Sequence, residues 1–171
     1  MIFQGFKETI LKRQLDKILS ESNSSGDSSL KKIKSVGIIT SEKTMTVIDL
    51  QKQIEGVLKF RNTKMYSLRK FDKTADFSFE HFTEKDINWK GQFTQENIQS
   101  FLEQPFDLLI GYFNTNNIFL ESAILQSKAQ FKVGFAGVNS MLYEIEISEK
   151  TENVNAFTLE LKKYLKIIKK L

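Results

Sequence analysis

The feature that most constrains this fold is a repeated alternation of short apolar runs with longer helical patterns. The clearest run is Phe106–Tyr112 (Phe-Asp-Leu-Leu-Ile-Gly-Tyr), and Val36–Ile39 (Val-Gly-Ile-Ile) is a second. Short runs rich in branched apolar residues are typical of strands that are buried on both faces. Strands that alternate with helices predict an open α/β sheet, because helices must cover its two apolar faces.

This pattern predicts five strands, each separated from the next by a helix or a loop. They are expected at Ile33–Thr40, Lys64–Lys70, Phe106–Tyr112, Phe131–Phe135 and Leu142–Ile147. The expected fold is an open, mostly parallel five-stranded sheet with helices on both faces. It is a Rossmann-like or flavodoxin-like three-layer sandwich with an added N-terminal helix, and a strand order of 2-1-3-4-5 is compatible with it.

Two stretches fit this scheme less simply. Only Ala136–Met141 separate the last two strands, whereas a parallel crossover usually needs a dozen or more residues. These strands are therefore expected to form an antiparallel hairpin or one strand that continues past a loop. The stretch Phe71–Phe93 has no sustained helical period, although alternation over Asp76–Phe82 is compatible with a short extra strand.

The N-terminal residues form a separate unit in this interpretation. Residues 2–20 are good helix formers without proline, and the polar segment Glu21–Ser29 follows them. We therefore divide the chain into an N-terminal helical appendage, residues 1–22, and a single α/β domain, residues 30–171. Two apolar groups lie on different sides of the helix, which predicts docking on two surfaces or a bend. The groups are Phe3, Phe6 and Ile10, and Leu11, Leu15, Ile18 and Leu19.

Composition excludes several kinds of site. The chain has no cysteine, which excludes disulfides, thiolate metal sites and a cysteine nucleophile. Its first residues mix charged with apolar side chains and offer no signal-peptide core. No stretch approaches the ~20 apolar residues of a membrane span. The expected location is therefore the cytoplasm, without a transmembrane segment.

Three motifs resemble an uncharacterised bacterial family of unknown function. They are Trp89-Lys90-Gly91, Phe106-Asp107-Leu108-Leu109-Ile110 and Gln130-Phe131-Lys132-Val133-Gly134-Phe135, and a basic N-terminal helix accompanies them. The resemblance covers nearly the whole chain, but it implies no activity. The strand, helix and Val-Gly-Phe pattern is also loosely similar to the N-terminal half of heptosyltransferase-like glycosyltransferases, whose nucleotide-binding half is absent here.

No catalytic constellation emerges from the sequence. The glycine-rich phosphate-binding patterns are absent, and the single histidine, His81, has no partners at the spacing of a triad or a metal site. Asp107 is a candidate general base, but hydrogen bonds from nearby backbone N–H groups or a basic side chain are the favoured role. No catalytic residue, metal ligand or cofactor is predicted, and an enzyme is the less favoured class.

A candidate ligand site is predicted at the carboxyl ends of the strands, where open α/β sheets bind their ligands. Its residues are Trp89, Lys90, Asn114, Asn116 and Asn117. The indole would offer a stacking face, the lysine a positive charge, and the asparagines amide donors and acceptors. The competing interpretation makes Trp89 a core anchor and gives the asparagines a helix-capping role.

Three functions stay open on sequence alone. The favoured one is a non-enzymatic binding or interaction protein whose N-terminal helix docks to a protein partner or to a second copy of the chain. The second is a small-molecule or nucleotide-sugar-binding domain with distant glycosyltransferase-like ancestry. The third is a nucleic-acid-associated protein, based on basic and aromatic residues in Lys59–Lys73. A solvated strand edge is the preferred interpretation of that stretch, so a nucleic-acid partner is disfavoured.

Overall fold

The computed structural model describes residues 2–21, 31–47, 49–75 and 80–171. Its helices are α1 (Ile2–Glu21), α2 (Glu42–Val47), α3 (Leu50–Leu58), α4 (Glu96–Glu103), α5 (Ile118–Gln126) and α6 (Val154–Ile167). Its strands are β1 (Val36–Ser41), β2 (Lys64–Leu68), β3 (His81–Phe82), β4 (Leu108–Tyr112), β5 (Lys132–Phe135) and β6 (Ile145–Ile147). Residues 22–29 of the predicted linker Glu21–Ser29 and residues 76–79 of the predicted extra strand lie outside the described residues, whereas Glu21 is the last residue of α1.

The described strands form one parallel sheet in the order β3-β2-β1-β4-β5-β6. The open α/β fold is confirmed. The order 2-1-3-4-5, which the sequence left open as one compatible arrangement, is found as β2-β1-β4-β5-β6. The sheet has six strands where five were predicted, because β3 adds to the outer side of β2. β3 pairs His81 and Phe82 with Ser67 and Leu68, and it lies at the end of Asp76–Phe82, the stretch whose alternation is compatible with a short extra strand.

The connection between β5 and β6 differs from both sequence-based expectations. β6 pairs with β5 in parallel, so the hairpin and the continuous strand are both wrong. The crossover, residues 136–144, contains a 3₁₀ turn at Ser140–Leu142 in place of an α-helix. A short link suffices because β6 begins at Ile145, later than the predicted Leu142, and because the link lies flat against the sheet.

Two glycines allow this close approach. A Cβ atom at Gly134 would come within 2.2 Å of the Tyr143 ring, and one at Gly111 within 2.3 Å of the Tyr143 hydroxyl oxygen. Gly111 and Gly134 are paired neighbours on β4 and β5, so together they leave a slot in the surface of the sheet. The Tyr143 ring fills this glycine slot and is only 9% exposed.

One face of the sheet is covered by α3 and α6, which pack side by side. Phe157 of α6 stacks on Phe135 with ring centroids 4.5 Å apart, and Tyr112 meets both rings edge-on. The Tyr112 hydroxyl donates to the backbone carbonyl of Thr151 at 2.7 Å, so this large side chain is buried with its polar end satisfied.

The other face is covered by α4 and α5, and α1 lies on the outer side of α5. Leu11, Leu15 and Leu19 of α1 are buried, at 2–3% exposure, and belong to the same core as the sheet. Ile18, which the sequence groups with them, is 44% exposed. The side chains of Phe3 and Phe6 lie outside the described part of the structure, so docking on a second surface stays a prediction.

The α/β layers contain no candidate for a membrane anchor in the described ranges. None of the helices there combines the length and the apolar character that a bilayer crossing requires.

Replacing Gly134 with Ala should destabilise the fold, because a methyl group cannot share the glycine slot with the Tyr143 ring. We expect a loss of about 1–3 kcal/mol in the free energy of unfolding, the usual cost of overpacking a core. Urea denaturation measures it.

The matched control is Gly56→Ala in α3, where an added Cβ atom meets nothing within 4 Å. Alanine there should raise the free energy of unfolding by about 0.5–1 kcal/mol, because the position is an exposed helix interior. If Gly134→Ala were as harmless as this control, the ring of Tyr143 would not occupy the slot.

Candidate functional site

The strand order reverses between β1 and β4, so the chain leaves these two neighbours in opposite directions. Open α/β sheets bind ligands in the crevice at the carboxyl ends of such strands. Two cavities open at this edge. We name them the switch-point cleft, of about 480 Å³, and the α1 cavity, of about 500 Å³. Asn117 and Phe119, at the start of α5, form a wall common to both.

The switch-point cleft lies between the ends of β1, β2 and β4. Its cationic lining residues are Lys43, Arg69 and Lys70, and its acidic ones are Glu42 and Glu84. Among the lining residues that the structure describes, three positive side chains against two carboxylates leave an excess of one positive charge. Leucine and phenylalanine side chains complete the wall, so the cleft offers both charge and apolar surface.

The sheet fixes the backbone that carries these cations. Lys43 follows β1 and Arg69 and Lys70 follow β2, so all three stand at the same edge. The Arg69 backbone N–H donates to the Phe82 carbonyl at 2.9 Å, which ties the end of β2 to β3. The sequence did not place Arg69 and Lys70 in a ligand site, because the predicted strand Lys64–Lys70 included both of them, whereas β2 ends at Leu68.

The α1 cavity lies between α1, the start of α5 and the β5–β6 crossover. Glu8, Lys12 and Asp16 of α1 form its exposed rim, Asn139 comes from the crossover, and Glu121 comes from the first turn of α5. Glu121 is only 5% exposed. No sequence motif singled out Glu121 as a site residue. The available signal was that it is the only charged residue in Ile118–Gln126.

The three predicted asparagines have different positions at the β4–α5 connection. Asn117 caps α5, since its side-chain oxygen accepts from the backbone N–H groups of Phe119 and Leu120 at 3.0 and 3.2 Å. The capping interpretation is therefore confirmed for Asn117. Asn116 is exposed and lines the α1 cavity. Asn114 is exposed and belongs to neither wall.

Trp89 and Lys90 lie far from these asparagines. Their turn docks on α1 and on the end of α5, where Gln14 donates to the Lys90 carbonyl at 2.6 Å and Gln126 donates to the Gly91 carbonyl at 2.9 Å. Asn117 and Gln126 are nine residues apart at the two ends of α5, about 13 Å along the helix axis. The structure therefore does not bring the predicted site residues into one pocket.

The Trp89 side chain is 67% exposed, so the interpretation of this residue as a core anchor is wrong. The Lys90 ammonium lies 5.2 Å from the centre of the indole, a cation–π distance. Binding of a ligand by this exposed pair stays a prediction.

Asp107 stabilises the start of β4. Its buried carboxylate accepts from the backbone N–H groups of Lys34 and Ser35, at 2.9 and 3.0 Å, and pairs with the Lys31 ammonium at 3.0 Å. Burial alone would raise the pKa of Asp107, but these donors outweigh it and hold the pKa below its ordinary value. The hydrogen-bonding role predicted for Asp107 is confirmed.

His81 is half-buried on β3, where its Nδ1 atom shares a hydrogen bond with the Ser67 hydroxyl. Burial, and then the positive charge of Arg69, lowers the pKa of His81, so the ring is neutral at physiological pH. Among the described residues, no group of three or more acidic or histidine side chains is arranged to hold a metal ion.

The basic stretch Lys59–Lys73 is divided by β2. Lys59 ends α3 at the amino edge of the sheet, whereas Arg69 and Lys70 follow β2 at the carboxyl edge. β2 spans five residues, about 17 Å of extended chain, so the two groups lie apart. The interpretation of this stretch as a solvated strand edge is wrong at Ser67 and Leu68, where β3 pairs with the outer side of β2.

Comparison with known proteins gives one match. A model described as "Family of unknown function (DUF6913)" matches residues 7–168. Because the match spans nearly the whole chain, the protein belongs to this family, and the resemblance to a family of unknown function is confirmed. No curated protein matches the chain, and no solved structure does.

Replacing Asp107 with Asn should lower the free energy of unfolding at neutral pH by about 1–3 kcal/mol. The neutral amide loses the Lys31 ion pair and weakens the hydrogen bonds from the backbone. Lys31→Met should cost less, because Lys31 is 55% exposed and the backbone donors remain. Urea denaturation of the variants and the wild type makes the comparison.

The wild type and Asp107→Asn should have nearly the same free energy of unfolding at low pH. Since folding depresses the pKa of Asp107, its stabilisation is complete above the ordinary value of 3.8 and is lost as the pH falls through the folded value. A difference between wild type and Asp107→Asn that did not shrink on acidification would contradict this account.

Proposed function

We propose that this member of the DUF6913 family is a binding protein for a small anionic molecule held in the switch-point cleft. The observation that carries the proposal is the convergence of Lys43, Arg69 and Lys70 at the carboxyl ends of two adjoining strands. Open α/β sheets bind their ligands at this position. The volume of the cleft, about 480 Å³, lies within the range of about 300–1,000 Å³ that small-molecule sites occupy.

The walls of the cleft favour a ligand with both an anionic and an apolar part. Lys43 lies in α2, and Arg69 and Lys70 lie in the loop after β2. Leu68, Phe119 and Leu120 supply apolar surface, and Ser41 and Thr115 supply hydroxyl groups. The first turn of α5 adds a partial positive charge, although Asn117 already accepts from two of its N–H groups. Nucleotides and nucleotide sugars have this combination of charge and flat apolar surface.

Interaction through the N-terminal helix receives less support. The leucines of α1 are already buried against the chain's own α5, so this face is not available to a partner. A cytoplasmic location, and a partner or second copy on the remaining face of α1, stay predictions. A nucleic-acid function is not favoured, because β2 separates the two halves of the basic stretch.

Deleting residues 1–22 should lower the stability of the protein, because the deletion uncovers the surface of α5 that Leu11, Leu15 and Leu19 bury. Urea denaturation measures the change, and native mass spectrometry reads the oligomeric state of the same samples. A truncated protein of unchanged stability that turns from dimer to monomer would instead identify α1 as a dimerisation arm.

The first test of the proposed function is native mass spectrometry of the full chain purified gently, since a retained small mass identifies the ligand. The second is an NMR titration with uridine diphosphate as the probe and uridine as its uncharged control. The diphosphate should shift the amides of residues 41–43, 69–70 and 115–120, and uridine should bind at least tenfold more weakly. Equal binding of both probes would contradict the proposal.

The double variant Lys43→Gln/Lys70→Gln should bind uridine diphosphate about tenfold more weakly than the wild type, because it lacks two of the three cations. The matched control, Lys150→Gln/Lys166→Gln, removes two exposed charges outside the lining of the cleft and should leave the affinity unchanged. A control that loses as much affinity would mean that only the net charge of the protein matters.

A further inference from the structure

The α1 cavity contains a carboxylate that the proposed function does not use. Glu121 is 5% exposed, lines this cavity and lies in the first turn of α5. In the described parts of the chain, its carboxylate has neither a hydrogen-bond donor nor an ion-pair partner. Buried charges in proteins are normally paired or bind a cation, so this side chain is incomplete without one.

The rest of the lining does not supply that cation. Lys12 is the one cationic side chain among the described lining residues, and it lies exposed on the rim beside Glu8 and Asp16. Three carboxylates against one ammonium group leave an excess of two negative charges. The field in the cavity therefore attracts a positively charged ligand.

A second buried polar atom lies within the electrostatic reach of Glu121. The Tyr143 hydroxyl is buried in the glycine slot and has no hydrogen-bond partner among the described residues. Burial first, and then the negative charges of Glu121 and Glu146, raises the pKa of Tyr143 well above its usual range, so the hydroxyl stays neutral. The neutral Tyr143 hydroxyl therefore cannot compensate the charge of Glu121, and among the described residues it donates no hydrogen bond to that carboxylate.

We propose that the α1 cavity binds a small organic ammonium ion whose positive charge pairs with Glu121. Leu15, Ile118 and Phe119 line the same cavity and offer apolar surface to the carbon part of such a ligand. A divalent metal ion fits less well, because it needs several oxygen ligands. The described residues provide no group of three metal-binding side chains.

This site is chemically distinct from the switch-point cleft. The two cavities share the wall of Asn117 and Phe119, but one has an excess of positive charge and the other an excess of negative charge. A cationic probe should therefore shift the amides of residues 12–16, and an anionic probe those of residues 41–43 and 69–70, while the amides of the common wall respond to both. Failure of either proposal leaves the other standing.

The test uses 2-phenylethylamine as the probe and 2-phenylethanol, which has a hydroxyl in place of the ammonium group, as the control. Both are titrated into the full-length labelled protein, and NMR follows the amides of residues 12–16 and 118–121 and the side-chain amides of Asn116 and Asn139. The amine should give saturable shifts there, with an affinity at least tenfold above that of the alcohol. Equal affinities, or shifts confined to other regions, overturn the proposal.

The variant Glu121→Gln keeps the shape of the side chain and removes its charge. It should bind the amine at least tenfold more weakly, and without ligand it should unfold at a higher urea concentration than the wild type, because the unpaired buried charge is gone. Glu149→Gln, which removes an exposed carboxylate after β6, should change neither quantity.

Unchanged amine affinity in Glu121→Gln would overturn the proposal. A lowered urea midpoint would also overturn it, because it would mean that Glu121 has a stabilising partner within the chain. If the variant does not fold, the comparison of amine with alcohol on the wild-type protein decides.

Discussion

The packing of Tyr143 into the slot of Gly111 and Gly134 determines how this edge of the molecule is built. Because the two glycines present no side chains, the β5–β6 crossover can lie directly on the sheet. A crossover this thin needs no helix of its own, so α5 and then α1 can lie beside and above it. The α1 cavity is the space left between these three segments, and Glu121 faces it from α5.

The two cavities at the carboxyl edge differ in charge because different elements supply their walls. The switch-point cleft receives Lys43 from the start of α2 and Arg69 and Lys70 from the loop after β2, and both lysines are exposed. The α1 cavity receives acidic side chains from two helices, and one of them, Glu121, is covered when α1 docks. The start of α5 stands between the cavities, and its Asn117 cap fixes the backbone of the common wall.

The sequence predicted the sheet because a strand that is buried on both faces is a short run of apolar residues, as in Phe106–Tyr112 and Val36–Ile39. It did not predict the direction of β6, because Gly111 and Gly134 are far apart in the sequence and form the slot for Tyr143 only when β4 and β5 pair. The predicted site failed to assemble for a similar reason. Trp89 and Asn117 were both expected at the carboxyl ends of the strands. Asn117 does lie there, at the start of α5, but hydrogen bonds from Gln14 and Gln126 hold the Trp89 turn at the end of α5.

Glu121 is a charged residue at a position that the fold buries. α5 is buried nearly all round by phenylalanine, leucine, alanine and isoleucine. The helix dipole favours a negative charge in its first turn, but no donor among the described residues pairs with the Glu121 carboxylate. A glutamine or leucine of similar size would cost less to bury. Conflicts of this kind are expected where a protein binds something, since the ligand supplies the missing partner.

The same logic does not apply to Asp107, which is also buried but is fully supplied with donors by Lys31, Lys34 and Ser35. In this fold, a buried carboxylate that has donors within the chain, such as Asp107, is a structural group. A buried carboxylate without such donors, such as Glu121, is a candidate binding group.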